Sequence, residues 1–278
     1  MNFDSMLMKI ITGKAPCAVG IDIAENELSA EFLEKYENGA EAVLAYSKLI
    51  IDSVCEYVCA VAINVPVFLQ YGKEMMQSLF SYAKEKDLYV IADAKCSGDF
   101  ASSESESVFY FDILGADAVT ASPYFGMDGL QPFLEKCEKD NKNIFVISHS
   151  SEGSPRDVQE LMAGMRMVYR AVCEKVHLRG EKRVGNYGYS DIGIMIGGVS
   201  NKTLHELRHT YKKTFFMLTG YNGETISAHD LTGAFDTRGL GGIVLVSRPI
   251  TNPDAEGDFA EKIRTAAEKV ARDLKLCF

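Results

Sequence analysis

LYVIADAKCSGDF, residues 88–100, begins as a strand and ends in charge. Leu88 to Ala94 is a nearly continuous apolar run rather than an alternating one. A strand covered on both faces of a parallel sheet reads this way. Asp93, Lys95 and Asp99 follow at its C-terminal end. Further runs of the same kind lie at Cys17–Ile23, Val58–Val67, Ala116–Ala121, Asn143–Ser148, Ile192–Gly197, Thr214–Leu218 and Gly242–Ser247. Stretches at 40–57, 73–86, 128–139, 156–175 and 203–210 read as helices between them. In the C-terminal helix, Phe259, Ile263, Ala267, Val270 and Leu274 form one apolar stripe, with Asp258 near its positive end. Eight β runs alternating with helical segments predict an α/β fold, a (β/α)8 TIM barrel in a single domain over 1–278. An open doubly wound sheet is the alternative, because a strand count does not prove closure. Residues 177–190, with Gly180, Gly185 and Gly188, read as a long loop before the sixth strand, either functional or a plain surface insertion.

The composition excludes several classes. The chain has 278 residues, 47% of them hydrophobic and 24% charged, which is ordinary for a globular protein large enough to need no metal or disulfide staple. No apolar run approaches the ~18 residues of a membrane span, and the N-terminal stretch lacks the basic-then-apolar order of a signal peptide. The net charge of −10 argues against nucleic-acid or anionic-membrane partners, yet leaves room for a small anion in a locally positive pocket. The seven cysteines are scattered without a CxxC pair, so neither a zinc site nor a disulfide framework is expected and a reducing cytoplasm is the natural compartment. The histidines form no metal constellation: His205 and His209 are four apart on an outer helix without an HExxH pattern.

In a barrel, chemistry sits at the C-terminal ends of the strands and in the loops beyond them. Those positions hold Asp22, Asn64, Asp93, Lys95, Asp99, Ser122, Tyr124, His149, Ser150, Ser151, the Thr219–Glu224 loop, Ser247 and Arg248. Asp93 and Lys95 are two apart and so share a face. A lysine beside carboxylates is held as the ammonium and can serve as a general acid; an ordinary ion pair closing the barrel is the competing reading. Gly220 and Gly223 let backbone approach a ligand, and Arg248 can grip a phosphate in two-pronged fashion, or the pair is a loop beside a surface arginine.

Taken together, CAVGID, VIADAKCSGDF, GADAVTASPYFGMDGLQPFL, SHSSEGS, SDIGIMIGG, GYNGETIS and IVLVSR resemble, in order and across nearly the whole chain, the orotidine 5′-phosphate decarboxylase family, in its longer bacterial form. The resemblance implies cofactor-free decarboxylation of orotidine 5′-monophosphate (OMP) to uridine 5′-monophosphate (UMP) by a homodimer. It implies that Lys95 protonates C6, that Asp93 acts on the substrate carboxylate and that Asp99 reaches the neighbouring subunit. It further implies that Asp22 contacts the ribose, Ser151 the pyrimidine, and Gly220, Glu224 and Arg248 the phosphate region. The chain departs from the family pattern at several points. Asn64 lies where the family has the first lysine of its Lys-Asp-Lys-Asp array, one extra residue separates Asp93 from Asp99, Glu224 replaces a glutamine and Ser122 an asparagine. The alternative is a nucleotide- or sugar-phosphate-binding relative without turnover.

Overall fold

Eight parallel strands hydrogen-bond around a closed ring in sequence order. They are β1 (Ala15–Ile21), β2 (Val58–Asn64), β3 (Tyr89–Cys96), β4 (Ala118–Ala121), β5 (Asn143–His149), β6 (Ile192–Gly197), β7 (Phe216–Thr219) and β8 (Gly242–Val246). This is a computed structural model, and it describes residues 3–151, 153–251 and 258–278. Closure is explicit at Val19, which pairs with Val61 on one side and Val246 on the other, so the open-sheet alternative falls. Each predicted run carries a strand, with ends displaced by one to a few residues. Glu152 of the SHSSEGS stretch lies outside the described residues.

Side-chain parity sorts the strands into two cores. Val19, Ile21, Val61, Ile63, Val90, Ala92 and Val244 point outward and pack beneath the helices. Ala18, Ala60, Ala62, Tyr89, Ile91, Ala118, Phe145, Met217 and Ile243 point inward. The N-terminal helix Asp4–Ile11 closes the floor of the barrel. Phe3 stacks 4.6 Å from Phe215 and 4.7 Å from Phe145, and Phe3, Met6 and Leu7 are fully buried. Each such side chain contributes about 1.5–3 kcal/mol, so the floor is packed, and the C-terminal end is left to form a mouth.

Helices form where the sequence caps them. Asn38 Oδ1 accepts the Glu41 N–H at 3.0 Å to start Gly39–Val54, and Asp258 accepts from Ala260 and Glu261 to start Phe259–Cys277. The structure corrects the predicted helix at 156–175. Its first half is a loop and a small hairpin, Met162–Ala163 against Arg166–Met167, turning at Gly164 (φ +69°), and the helix runs only over Val168–Gly180. The loop predicted at 177–190 therefore begins after Gly180. It precedes β6 and lies under the closed floor, where the Asp4 carboxylate accepts the Asn186 N–H at 3.0 Å, so it is an insertion remote from the mouth. An unpredicted helix, Phe100–Ser107 continued by a wider π-type turn over Val108–Ile113, follows β3. No helix among the described residues is long and apolar enough to cross a membrane.

Candidate active site

The inward parity that builds the floor continues upward and ends in polar groups. Along β1 it runs Ala18, Gly20, Asp22; along β2, Ala60, Ala62, Asn64; along β3, Tyr89, Ile91, Asp93. The strands pair as Ile21 with Ile63 and Asn64 with Asp93, so Asp22, Asn64 and Asp93 stand side by side in one row across three adjacent strands. Gly20 leaves room for the Ser247 hydroxyl reaching in from the end of β8, which would have to shift if Gly20 carried a Cβ.

This row is one wall of a cavity of about 620 Å³ at the C-terminal mouth, a size suited to a nucleotide-scale ligand. Asp22, Asn64, Asp93, Lys95, Ser151, Gly220 and Arg248 all line it, as do His149, Ser150, Gln159, Thr219, Tyr221 and Ser247. Lys95 Nζ lies 2.6 Å from Asp93 Oδ2. The Asp93 side chain is 10% exposed and that of Lys95 45%, so the carboxylate is fixed in the wall while the ammonium projects into the mouth. Asp93 Oδ1 also accepts from the Thr120 hydroxyl at 2.8 Å. Burial raises the Asp22 carboxyl above its ordinary range, helped by the charges of Glu27 and Asp93 and opposed by Ser247 and Arg248. Asn64 begins the short helix Val65–Phe68 without capping it through its side chain.

Across the cavity, β5 ends in the buried His149, whose Nδ1–H donates to Gly197 O at 2.6 Å while Nε2 faces Glu160 Oε1 at 3.3 Å. The Ser150 N–H donates to Gln159 Oε1 at 2.7 Å, and these two contacts draw the loop after β5 over the mouth. Gly220 adopts φ +98°, which a side chain would strain, and a Cβ there would crowd Ser151 and Ile226. Thr219 Oγ1 donates to Ser151 Oγ at 3.3 Å.

Two predicted residues stand elsewhere. Asp99 is exposed and caps helix Phe100–Ser107, accepting the Ser102 N–H at 2.9 Å, which lowers its carboxyl below the usual range. Glu224 is exposed and does not line the cavity. Its N–H and those of Thr225 and Ile226 all donate to Asn222 Oδ1 at 2.9–3.0 Å, so in this conformation the loop spends those amides on itself. Ser122 instead donates its N–H to Cys96 O at 2.7 Å. Among the described residues no cluster of three or more His, Cys, Asp or Glu could hold a metal ion. Sequence reasoning missed Thr120 and Gln159. The alternation of β4, with Ala118 inward, Val119 outward and Thr120 inward, is a signal for Thr120; Gln159 lies in the stretch whose spacing predicts a helix, and that pattern hides it.

Fold and site together define a (β/α)8 barrel with an acid–lysine pair and an arginine at its open end. The model of the "Orotidine 5'-phosphate decarboxylase / HUMPS family" matches residues 41–263, and the chain belongs to that family. It is 30% identical over 272 residues to orotidine 5′-phosphate decarboxylase of Caldicellulosiruptor bescii, covering 90% of this chain and 89% of that one. It is 30% identical over 255 residues to the protein of that name from Clostridium perfringens, covering 90% and 88%. Among solved structures, the Leishmania donovani OMP decarboxylase superposes with a TM-score of 0.78 at 23% identity, over 100% of this chain and 98% of the other. The Plasmodium berghei orotidine 5′-monophosphate decarboxylase does so at 0.80 with 14% identity, over 99% and 98%.

Proposed function

We propose that this protein is a lyase that decarboxylates OMP to UMP in pyrimidine biosynthesis. The observation that carries the reading is the Asp93–Lys95 pair, 2.6 Å apart, in the wall of a mouth cavity that also holds Arg248, in a chain of this family. In the proposed reaction the bond between C6 and the carboxylate breaks, carbon dioxide leaves, and the electron pair stays on C6. Lys95 Nζ, the ammonium nearest the fixed carboxylate, delivers the proton that quenches it and is reprotonated from solvent. Asp93, held from two sides, cannot turn away from an incoming substrate carboxylate, so its charge opposes the ground state more than the transition state.

Arg248 and the Gly220 loop take the phosphate, Asp22 the ribose and Ser151 the pyrimidine. Binding energy from the phosphate, remote from C6, then helps to lower the barrier at C6. Glu224 keeps its charge turned away from the phosphate. The reaction needs no cofactor, since the proton and the opposing charge come from the chain itself. We further propose a cytoplasmic homodimer in which Asp99, exposed at a helix start beside the mouth, enters the partner's site. The test is the loss of OMP absorbance with purified protein and with Lys95→Ala. The reading expects turnover that the substitution reduces by about 100- to 10,000-fold, the range for a general acid. Near-normal turnover in Lys95→Ala would sink the assignment of the proton donor.

A further inference from the structure

We infer that Thr120 is a positioning residue for this reaction, one hydroxyl that sets the geometry of both Asp93 and Lys95. The inference rests on the proposed decarboxylation and adds a residue to it. It starts from an irregularity in the barrel. Ala92 pairs with Val119 and Cys96 with Ala121, so four steps along β3 are matched by two along β4. β3 therefore bulges over Asp93, Ala94 and Lys95, and this stretch leaves the regular ladder. Lys95 sits at φ +49°, in the left-handed region that side-chain-bearing residues avoid. Something must hold that conformation and accept the N–H that the bulge releases.

Thr120 does both. Its Oγ1 accepts the Lys95 N–H at 2.9 Å and donates to Asp93 Oδ1 at 2.8 Å. Asp93 Oδ2 then accepts from Lys95 Nζ at 2.6 Å, which closes a ring running from the Lys95 backbone through Thr120 and Asp93 to the Lys95 side chain. Thr120 is fully buried, so no water replaces its hydroxyl. The backbone of the proton donor and the carboxylate that orients its ammonium thus hang on one atom. Thr120 projects inward beneath the bulge and is not among the residues lining the cavity, so it acts through the other two rather than on the substrate.

The test compares Thr120→Val, which keeps the shape and removes the hydroxyl, with Thr120→Ser, which keeps the hydroxyl. The readouts are kcat and KM for OMP, the dissociation constant of UMP, and the thermal midpoint. The inference expects Thr120→Val to lower kcat by roughly 10- to 100-fold, the effect of unfastening one charge-assisted bond at a reacting group. KM and UMP affinity should stay within about threefold, and Thr120→Ser should recover kcat to within about threefold. A kcat in Thr120→Val within threefold of the unsubstituted protein overturns it. So does a fall in UMP affinity and thermal midpoint that parallels kcat and that Thr120→Ser fails to rescue, since that is the mark of a merely structural role. If Thr120→Val does not fold, Thr120→Ala takes its place under the same criteria. An inactive unsubstituted protein is a separate outcome, which refutes the proposed reaction itself and the role of Thr120 in it.

Discussion

Replacing Asn64 by lysine puts a cation into the row Asp22–Asn64–Asp93, and the structure sets the size of the effect. Asn64 pairs with Asp93 in register, and its neighbour Ile63 pairs with Ile21, just before Asp22. Adjacent strands are about 4.8 Å apart, so a lysine head group between them lies about 5 Å from each carboxylate. At that distance each pair is worth about 1–3 kcal/mol, between the bulk-water and the partly shielded limits. Ordering and partly desolvating the lysine costs about 1–3 kcal/mol. A net gain of about 1–3 kcal/mol remains, or roughly 5- to 150-fold in rate if it acts on the transition state. The added charge also draws the Asp22 carboxyl back down from its raised position, because it counters the burial and the neighbouring acids that lift it. The assay is OMP decarboxylation at saturating substrate from pH 5 to 9, beside the thermal midpoint. A faster enzyme with an acid limb moved to lower pH is expected. An unchanged or slower rate in a folded variant refutes the reasoning, and means that the row is a rebuilt arrangement in which Asn64 has its own part.

Asp22→Asn should raise the thermal midpoint at pH 7 while weakening UMP binding. A carboxyl raised in the folded state favours folding below its unfolded value near 3.8 and loses that contribution as the pH rises through the folded value. The advantage of asparagine should therefore shrink as the pH falls towards 3.8, and equal midpoints at pH 7 would contradict it. Mixing inactive Lys95→Ala with inactive Asp99→Ala should restore about a quarter of the activity, because half of the re-sorted dimers carry one intact site. No recovery, or a monomer by sedimentation, would remove Asp99 from the partner's site.

The barrel was legible because its strands are buried on both faces and so leave apolar runs that no surface element imitates. LYVIADA and GIVLVS are examples, and they occupy β3 and β8 with small shifts at their ends. The segment at 156–175 has the apolar spacing of a helix, yet a loop and the hairpin turning at Gly164 occupy its first half. Helix 100–113 was invisible for the opposite reason: its first half is serine and glutamate, with no apolar stripe to mark a buried face. Within the site, Asp22, Asn64, Asp93, Lys95 and Arg248 could be read from their places at strand ends, and they do meet at one cavity. Thr120 is not legible at a strand end because it lies inside β4, at its last inward position. The bulge that gives this threonine its partners is a matter of register between two strands, which neither strand encodes alone.

The most direct measurement incubates OMP with an excess of purified protein and follows its conversion by quantifying UMP and released carbon dioxide. A parallel titration with UMP reports binding. The account predicts equal amounts of both products, formed in a single turnover and lost in Lys95→Ala. UMP binding without any product would contradict it and leave a nucleotide-binding barrel with no decarboxylase activity.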